Sequence, residues 1–431
     1  MRNVVNTADI VETRLDNGLK VLTKEVHHAP IVSFYVWYRV GGRNERPGIT
    51  GISHWAEHML FKGTPTLKKG DIGNLVETHG GSWNGFTWVD FTAYFETLPS
   101  QHLDLAIRIE SDRLANALFD PDEVESERTV IISEREGAEN QPFFHLHEET
   151  TAAAFKVHPY GQPVVGWKSD LRQITRQDLY DYYRTYYTPN NGIAVAVGDF
   201  ETADLLKRVA DAFGPIPAGP SPPPIRSEEP PQEGERRVTV RRPGPVPSML
   251  ALYHIPALAH PDAIPLQVAA SVLGAGRSSR LYKAIVNQGL ATRAHANADA
   301  RKDPGLFSVS VSLRRGAETP AAEAAALREV ERLSEREITD AELAKVRRQV
   351  RSWFLMNAEG VSRQARLLGQ FEVEHTWQTY TTYLADLDAV TPADVARVAR
   401  TYLHPDNRTV GWFLPTRQQR QGRRRRQRGR S

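Results

Sequence analysis

Residues 175–191, TRQDLYDYYRTYYTPNN, come back as residues 391–407, TPADVARVARTYLHPDN. Thr175, Asp178, Tyr186, Pro189 and Asn191 thus recur 216 positions later as Thr391, Asp394, Tyr402, Pro405 and Asn407. In each copy Thr-x-x-Asp reads as a capping box opening a helix, and the aromatic residue and the Pro-containing turn close it. Working outward, Pro30, Ser33 and Tyr38 return 215 residues on as Pro245, Ser248 and Tyr253. Asp120, Glu123, Val124 and Arg128 return 219 residues on as Thr339, Glu342, Leu343 and Arg347. Three blocks in one order at nearly constant offset mark a duplicated unit of about 200 residues. Within a copy, 32–38, 91–98 and 193–197 alternate as strands do, and 52–61, 103–118 and 121–137 carry helical periodicity. Without a regular βαβ beat, the pattern predicts an α+β fold: two duplicated domains, each a largely antiparallel sheet packed with helices. The Pro-dense stretch 214–237 interrupts all periodicity and is expected to link an N-terminal domain (1–213) to a C-terminal one (238–415).

The chain has 431 residues, 40% hydrophobic and 25% charged, which excludes wholesale disorder and fibrous architectures. It has no cysteine, so disulfides, thiolate zinc sites and a cysteine nucleophile are excluded, and any metal must sit on His, Asp or Glu. The longest uncharged apolar runs, such as 249–259, fall short of the roughly 20 residues that span a bilayer. The first residues carry Asp9 and Glu12 and lack the apolar core of a signal peptide. A cytoplasmic location is therefore expected, or a periplasmic one if a leader has been removed. Net charge is +2, but eight arginines follow Thr416, and without them the rest stands at −6. That segment, 416–431, is expected to be a disordered, solvated tail; nucleic acid is not the expected partner.

Chemistry concentrates in His54-Trp55-Ala56-Glu57-His58. On a helix, His54 and His58 lie one turn apart on one face with Glu57 beside them. Two imidazoles at that spacing reach one zinc ion, and the carboxylate between them can handle water at the metal. In the second copy the same positions are Ala269, Val272 and Leu273, all apolar. They are expected to face an interior, where polar groups are costly unless bonded or ligating. A third ligand is expected on another element. Asp120-Pro121-Asp122-Glu123 opens a helix on which Glu127 and Glu134 share a face. Their second-copy counterparts are Val346 and Trp353, so both glutamates are expected to replace core residues.

On these motifs the chain resembles the inverzincin metallopeptidases of the pitrilysin and insulinase family, particularly the two-domain mitochondrial-processing-peptidase-like branch, over residues 9 to 415. The family's signature, His-x-x-Glu-His followed about 76 residues later by Glu, lands on Glu134. The resemblance implies a metallohydrolase-like fold and a zinc endopeptidase acting on unfolded peptides. His54, His58 and Glu134 would hold one zinc ion per chain, Glu57 would be the general base, and Glu127 a second catalytic carboxylate two turns before the last ligand. The block Gly80 to Thr87 resembles the family strand on which substrate adds as a β-strand, with Asn84, Gly85 and Phe86 binding it. Gly85 would let the substrate backbone approach, and Phe86 would wall a pocket beyond the scissile bond.

The resemblance breaks at one place. Family members that complete a site carry an Arg and a Tyr seven residues apart around Gly-Leu-Ala-Tyr; here those positions are Ile285 and Thr292. This implies the metal-bearing subunit of a heterodimer whose homologous partner supplies the pair, a homodimer being less expected. The alternative is a noncatalytic scaffold or assembly subunit of the same fold. Ser279 to Tyr282 is expected to be structural. His27-His28 and His145-x-His147 read as loop histidines, and His79 has no assigned role.

Overall fold

The computed structural model describes residues 9–416; the Arg-rich segment beyond them and residues 1–8 lie outside the described part. The first half runs β1 (Ile10–Arg14), β2 (Lys20–Glu25), β3 (Ile31–Tyr38), α1 (Ile52–Met59), α2 (Asp71–Thr78), β4 (Ser82–Thr87), β5 (Thr92–Pro99), α3 (Leu103–Asn116) and α4 (Pro121–Glu139). It continues through α5 (Pro142–Ala154), α6 (Lys168–Leu171), α7 (Arg176–Tyr186), β6 (Gly192–Gly198) and α8 (Thr202–Phe213). The second half has β7 (Arg236–Pro243), β8 (Ser248–Ile255), α9 (Ala263–Gly274), β9 (Ala291–Asp299), β10 (Gly305–Leu313) and α10 (Thr319–Glu335). It closes with α11 (Asp340–Asn357), α12 (Val361–Glu374), α13 (Gln378–Ala389), α14 (Pro392–Tyr402) and β11 (Arg408–Thr416).

The first sheet has the order β1-β2-β6-β3-β5-β4, and the second β7-β11-β8-β10-β9. Each is antiparallel apart from one pair, β2 with β6 and β7 with β11. The repeat extends to register. Tyr38 lies opposite Gly192 and Thr92, while its equivalent Tyr253 lies opposite Arg408 and Phe307. Both Thr-x-x-Asp segments form capping boxes, at the starts of α7 and α14. Asp120 and Thr339 likewise cap α4 and α11.

One face of each sheet is covered by its own helices. The first core joins Val36, Tyr94 and Ala194 to Trp55, Ile107 and Leu179; the second joins Ala251 and Val309 to Leu266, Ala326 and Val395. The opposite faces are covered by an exchange. Helix α12 puts Ala365 and Leu368 on Tyr35, Trp37 and Val195 of the first sheet, and α5 puts Leu146 and Ala154 on Leu250, Leu252 and Phe413 of the second. No helix among the described residues is long and apolar enough to cross a membrane.

Candidate functional site

Helix α1 begins at Gly51, whose φ of +87° is the left-handed conformation that only glycine adopts without strain. A Cβ there would press on Val165 O and Gly166. The buried Glu45 carboxylate caps the helix start, accepting from Gly51 N–H at 2.7 Å and Ser53 N–H at 2.9 Å. Arg128 of α4 stacks 4.7 Å from the Trp55 ring and donates to the carbonyls of Leu171 and Ile174. That contact holds α1 against α4, and with it the histidines against the glutamates.

The structure brings His54, His58 and Glu134 together. His54 Nε2 is 3.2 Å from His58 Nε2, and Glu134 Oε2 is 3.8 and 3.7 Å from the two. A tetrahedral zinc with bonds of about 2.0–2.2 Å sets its ligand atoms roughly 3.3–3.6 Å apart, so this triangle fits the ion to within a few tenths of an ångström. It is the one group of three or more His, Asp or Glu side chains among the described residues able to hold a metal. Burial and the neighbouring His58 pull the His54 imidazole down to about 4, leaving it neutral at physiological pH. His58 Nδ1 hydrogen-bonds Glu127 Oε1 at 2.8 Å, which turns its Nε2 toward the triangle. Burial lowers the His58 pKa, but the bond to Glu127 and the charges of Glu57 and Glu134 more than offset it and raise it overall.

Glu57 is buried, and Thr87 Oγ1 of β4 donates to its Oε2 at 2.7 Å. Burial pushes this carboxyl above its usual range, with the Thr87 bond working against the rise. Glu127 is buried too; burial raises its pKa, yet the bonds from His58 and Lys62 hold it below the usual range. Lys62 Nζ lies 2.5 Å from Glu127 Oε2. Neither Lys62 nor the Thr87 hydroxyl has a role in the motif reading. The signal for Lys62 was its place one turn beyond His58, and for Thr87 its alternation with Gly85 on one strand face.

β4 is an edge strand. Gly85 N–H is taken by the Asn84 side chain at 2.9 Å, so that amide points away from β5. A Cβ on Gly85 would meet the Phe61 and Tyr94 rings at 3.0 Å. Ring packing beneath the strand therefore also favours a small residue at this position. Phe86 faces the other side of the sheet, edge-on to Trp37 at 5.4 Å and to Phe91 at 6.1 Å.

Two expectations need revision. Ala269, Val272, Leu273 and Val346 are all buried, but Trp353, the counterpart of Glu134, is 53% exposed. Glu134 itself is half-exposed, so it occupies a rim position and does not replace a core residue. His145 and His147 lie on α5 rather than in a loop; His145 is buried and its Nε2 bonds Glu139 O at 2.8 Å. His79 ends α2, bonding Leu75 O at 2.7 Å and meeting the His102 ring edge-on at 4.5 Å. His27 pairs at the surface with Asp199 and Glu25. Ile285 is buried in the second core, Thr292 stands on β9, and Arg280 grips the α11 capping residue Glu342 through two bonds of 2.8 and 2.9 Å.

A sequence model described as "Insulinase (Peptidase family M16)" matches residues 20–167, and one described as "Peptidase M16 inactive domain" matches residues 173–350. The chain is 29% identical over 408 residues to "Zinc protease PqqE" of Helicobacter pylori, covering 93% of this chain and 92% of that one. It is 25% identical over 425 residues to "Probable mitochondrial-processing peptidase subunit beta, mitochondrial" of Arabidopsis thaliana, covering 96% of this chain and 80% of that one. A solved structure of a protease from Helicobacter pylori superposes with a TM-score of 0.90 at 28% identity, over 94% of this chain and 99% of that one.

Proposed function

The chain belongs to the M16 peptidase family, and from that premise we propose that it is a zinc-dependent endopeptidase that hydrolyses unfolded peptides. The observation that carries the reading is the triangle of His54 Nε2, His58 Nε2 and Glu134 Oε2, with edges of 3.2 to 3.8 Å, beside a buried Glu57. These three residues would hold the ion. When bound, zinc supplies Lewis acidity that polarises a peptide carbonyl and brings the pKa of water down toward about 7. Glu57 is the base: Thr87 pins one of its oxygens, and the other takes a proton from water and returns it to the leaving amine. Glu127 acts by orienting His58. The peptide lies along β4, where edge amides pair with its backbone, Gly85 N–H doing so by exchanging the Asn84 side chain for a peptide carbonyl, and favour an extended, unfolded chain.

With Ile285 and Thr292 at the Arg/Tyr positions, the working unit in this reading is a pair with a homologous subunit that supplies those two side chains. The alternative, a noncatalytic scaffold, draws on the second half, whose match is described as an inactive domain. Glu57→Gln separates the two. We expect it to abolish peptide cleavage while leaving about one zinc per chain by elemental analysis. Retained turnover in that metal-loaded variant refutes the role of Glu57, and wild-type protein without zinc after dialysis favours the scaffold.

A further inference from the structure

On the face of the first sheet away from α1, a cavity of about 670 Å³ opens between β4 and α12. Tyr35, Phe86 and Phe95 line its strand side, Arg363 and Arg366 its helix side, and its rim reaches Thr87, the residue bonded to Glu57. No Asp or Glu is among its lining residues. Arg366 lies over the Phe86 ring at 5.2 Å and makes no ion pair among the described residues. Arg363 spends one N–H on Met356 O at 3.2 Å. Two carboxyls bond lining residues: Glu57 meets Thr87 from the α1 face, and Glu374 accepts from Gln370 at 3.3 Å; burial raises Glu374 to about 8, so it holds its proton at neutral pH and does not neutralise the arginines.

We propose that this cavity is a specificity pocket for an acidic side chain of the peptide, with Arg366 as its main contact and Arg363 assisting. The assignment rests on the peptidase reading above and goes beyond it by naming a substrate class. Asn84 and Phe86 face the cavity, while Gly85 and Thr87 face α1. A peptide added along β4 alternates in the same way, so every second side chain enters the cavity next to the reacting bond. A guanidinium stacked on an aromatic ring keeps its N–H edge free for a carboxylate, and the aromatic wall strengthens the bond by thinning the water around it. An aliphatic or basic side chain would leave both guanidiniums unpaired or repelled.

The test uses the zinc-loaded full chain and internally quenched peptides, acetylated and amidated, that differ only by Glu or Gln at single positions around the cleaved bond. At one position, Glu→Gln should lower kcat/KM of the wild type roughly ten- to hundredfold, as expected for a hydrogen bond to a charged group. Arg366→Gln should erase that difference, and Arg366→Lys should keep part of it. The arginines after Thr416 are present in every variant and cancel. If the wild type alone cleaves none of the peptides, as the need for a partner subunit implies, the pocket is read by fluorescence anisotropy of the same peptides, with the same pattern expected, and the peptidase reading is judged separately by zinc content. Equal handling of Glu and Gln peptides by wild type and Arg366→Gln in both assays overturns the pocket. So does a gain through Arg366 that appears only when the same peptides are left unamidated, following the free C-terminal carboxylate rather than the side chain.

Discussion

Lys62 acts on the metal site through one intermediary. Its ammonium neutralises the Glu127 oxygen that does not face His58, and so holds the carboxylate in the orientation that fixes the imidazole. Removing a partner of this kind weakens metal binding about 10–100-fold in comparable sites. We expect Lys62→Met to do so in a competition titration against a zinc chelator, with the fold intact by circular dichroism. An unchanged zinc affinity would make Lys62 a surface contact only. The contrast with the ligands explains what was legible at this scale. His54, Glu57, His58 and Glu127 could be read because the duplicate carries hydrocarbon where they stand, and those duplicates are buried. The same comparison misled at Glu134, because Trp353 is apolar without being interior. Lys62 and Thr87 left no such trace, since a lysine and a threonine are ordinary on any helix or strand. Arg366 was equally silent: its meaning lies in the lack of a carboxylate nearby, which a sequence does not display.

At the scale of elements, capping chemistry was legible because it is local: Thr175, Thr391, Asp120 and Thr339 each bond a backbone amide within three residues. Strand positions on β3, β5 and β6 followed from alternation. What a short motif does not encode is what lies beneath a strand, and Gly85 is the case in point. Its missing side chain is filled by Phe61 and Tyr94, on which the buried Arg113 also stacks at 5.0 and 4.5 Å. Arg113 is tied in turn to Glu96 and Glu110, both fully buried, so the rings have little freedom to retreat. Gly85→Ala is therefore expected to behave as overpacking and cost about 1–3 kcal/mol in urea unfolding. A loss below a few tenths of that range would show that the rings move aside and that packing does not dictate the glycine.

The whole molecule is held by the exchange of α5 and α12, which stand at equivalent places in the repeat yet each cover the other copy's sheet. The sequence reading assigns neither helix and places His145 and His147 of α5 in a loop, and no local pattern says which sheet receives each, so this part of the architecture was invisible in the sequence. The contact is close and charged. Gly369 of α12 lies against Trp37, and Glu372, one turn along, accepts from Lys20 at 2.7 Å and Arg39 at 2.9 Å. A Cβ at position 369 would fall inside the Trp37 indole, a buried ring on a central strand, so the helix itself would have to lift. We expect Gly369→Ala to lower stability by about 3 kcal/mol, at the upper end for an added methyl group in a packed interior. Because α12 also carries Arg366 opposite β4, the same variant should disturb peptide handling at temperatures where it remains folded. Gly411→Ala supplies the control: it presses Thr150 of α5 against the second sheet, away from β4, and should cost stability without altering the preference among peptides. If both variants lose stability and neither changes cleavage, the seating of α12 on the first sheet serves the fold alone, and the cleft does not depend on how closely the two halves meet.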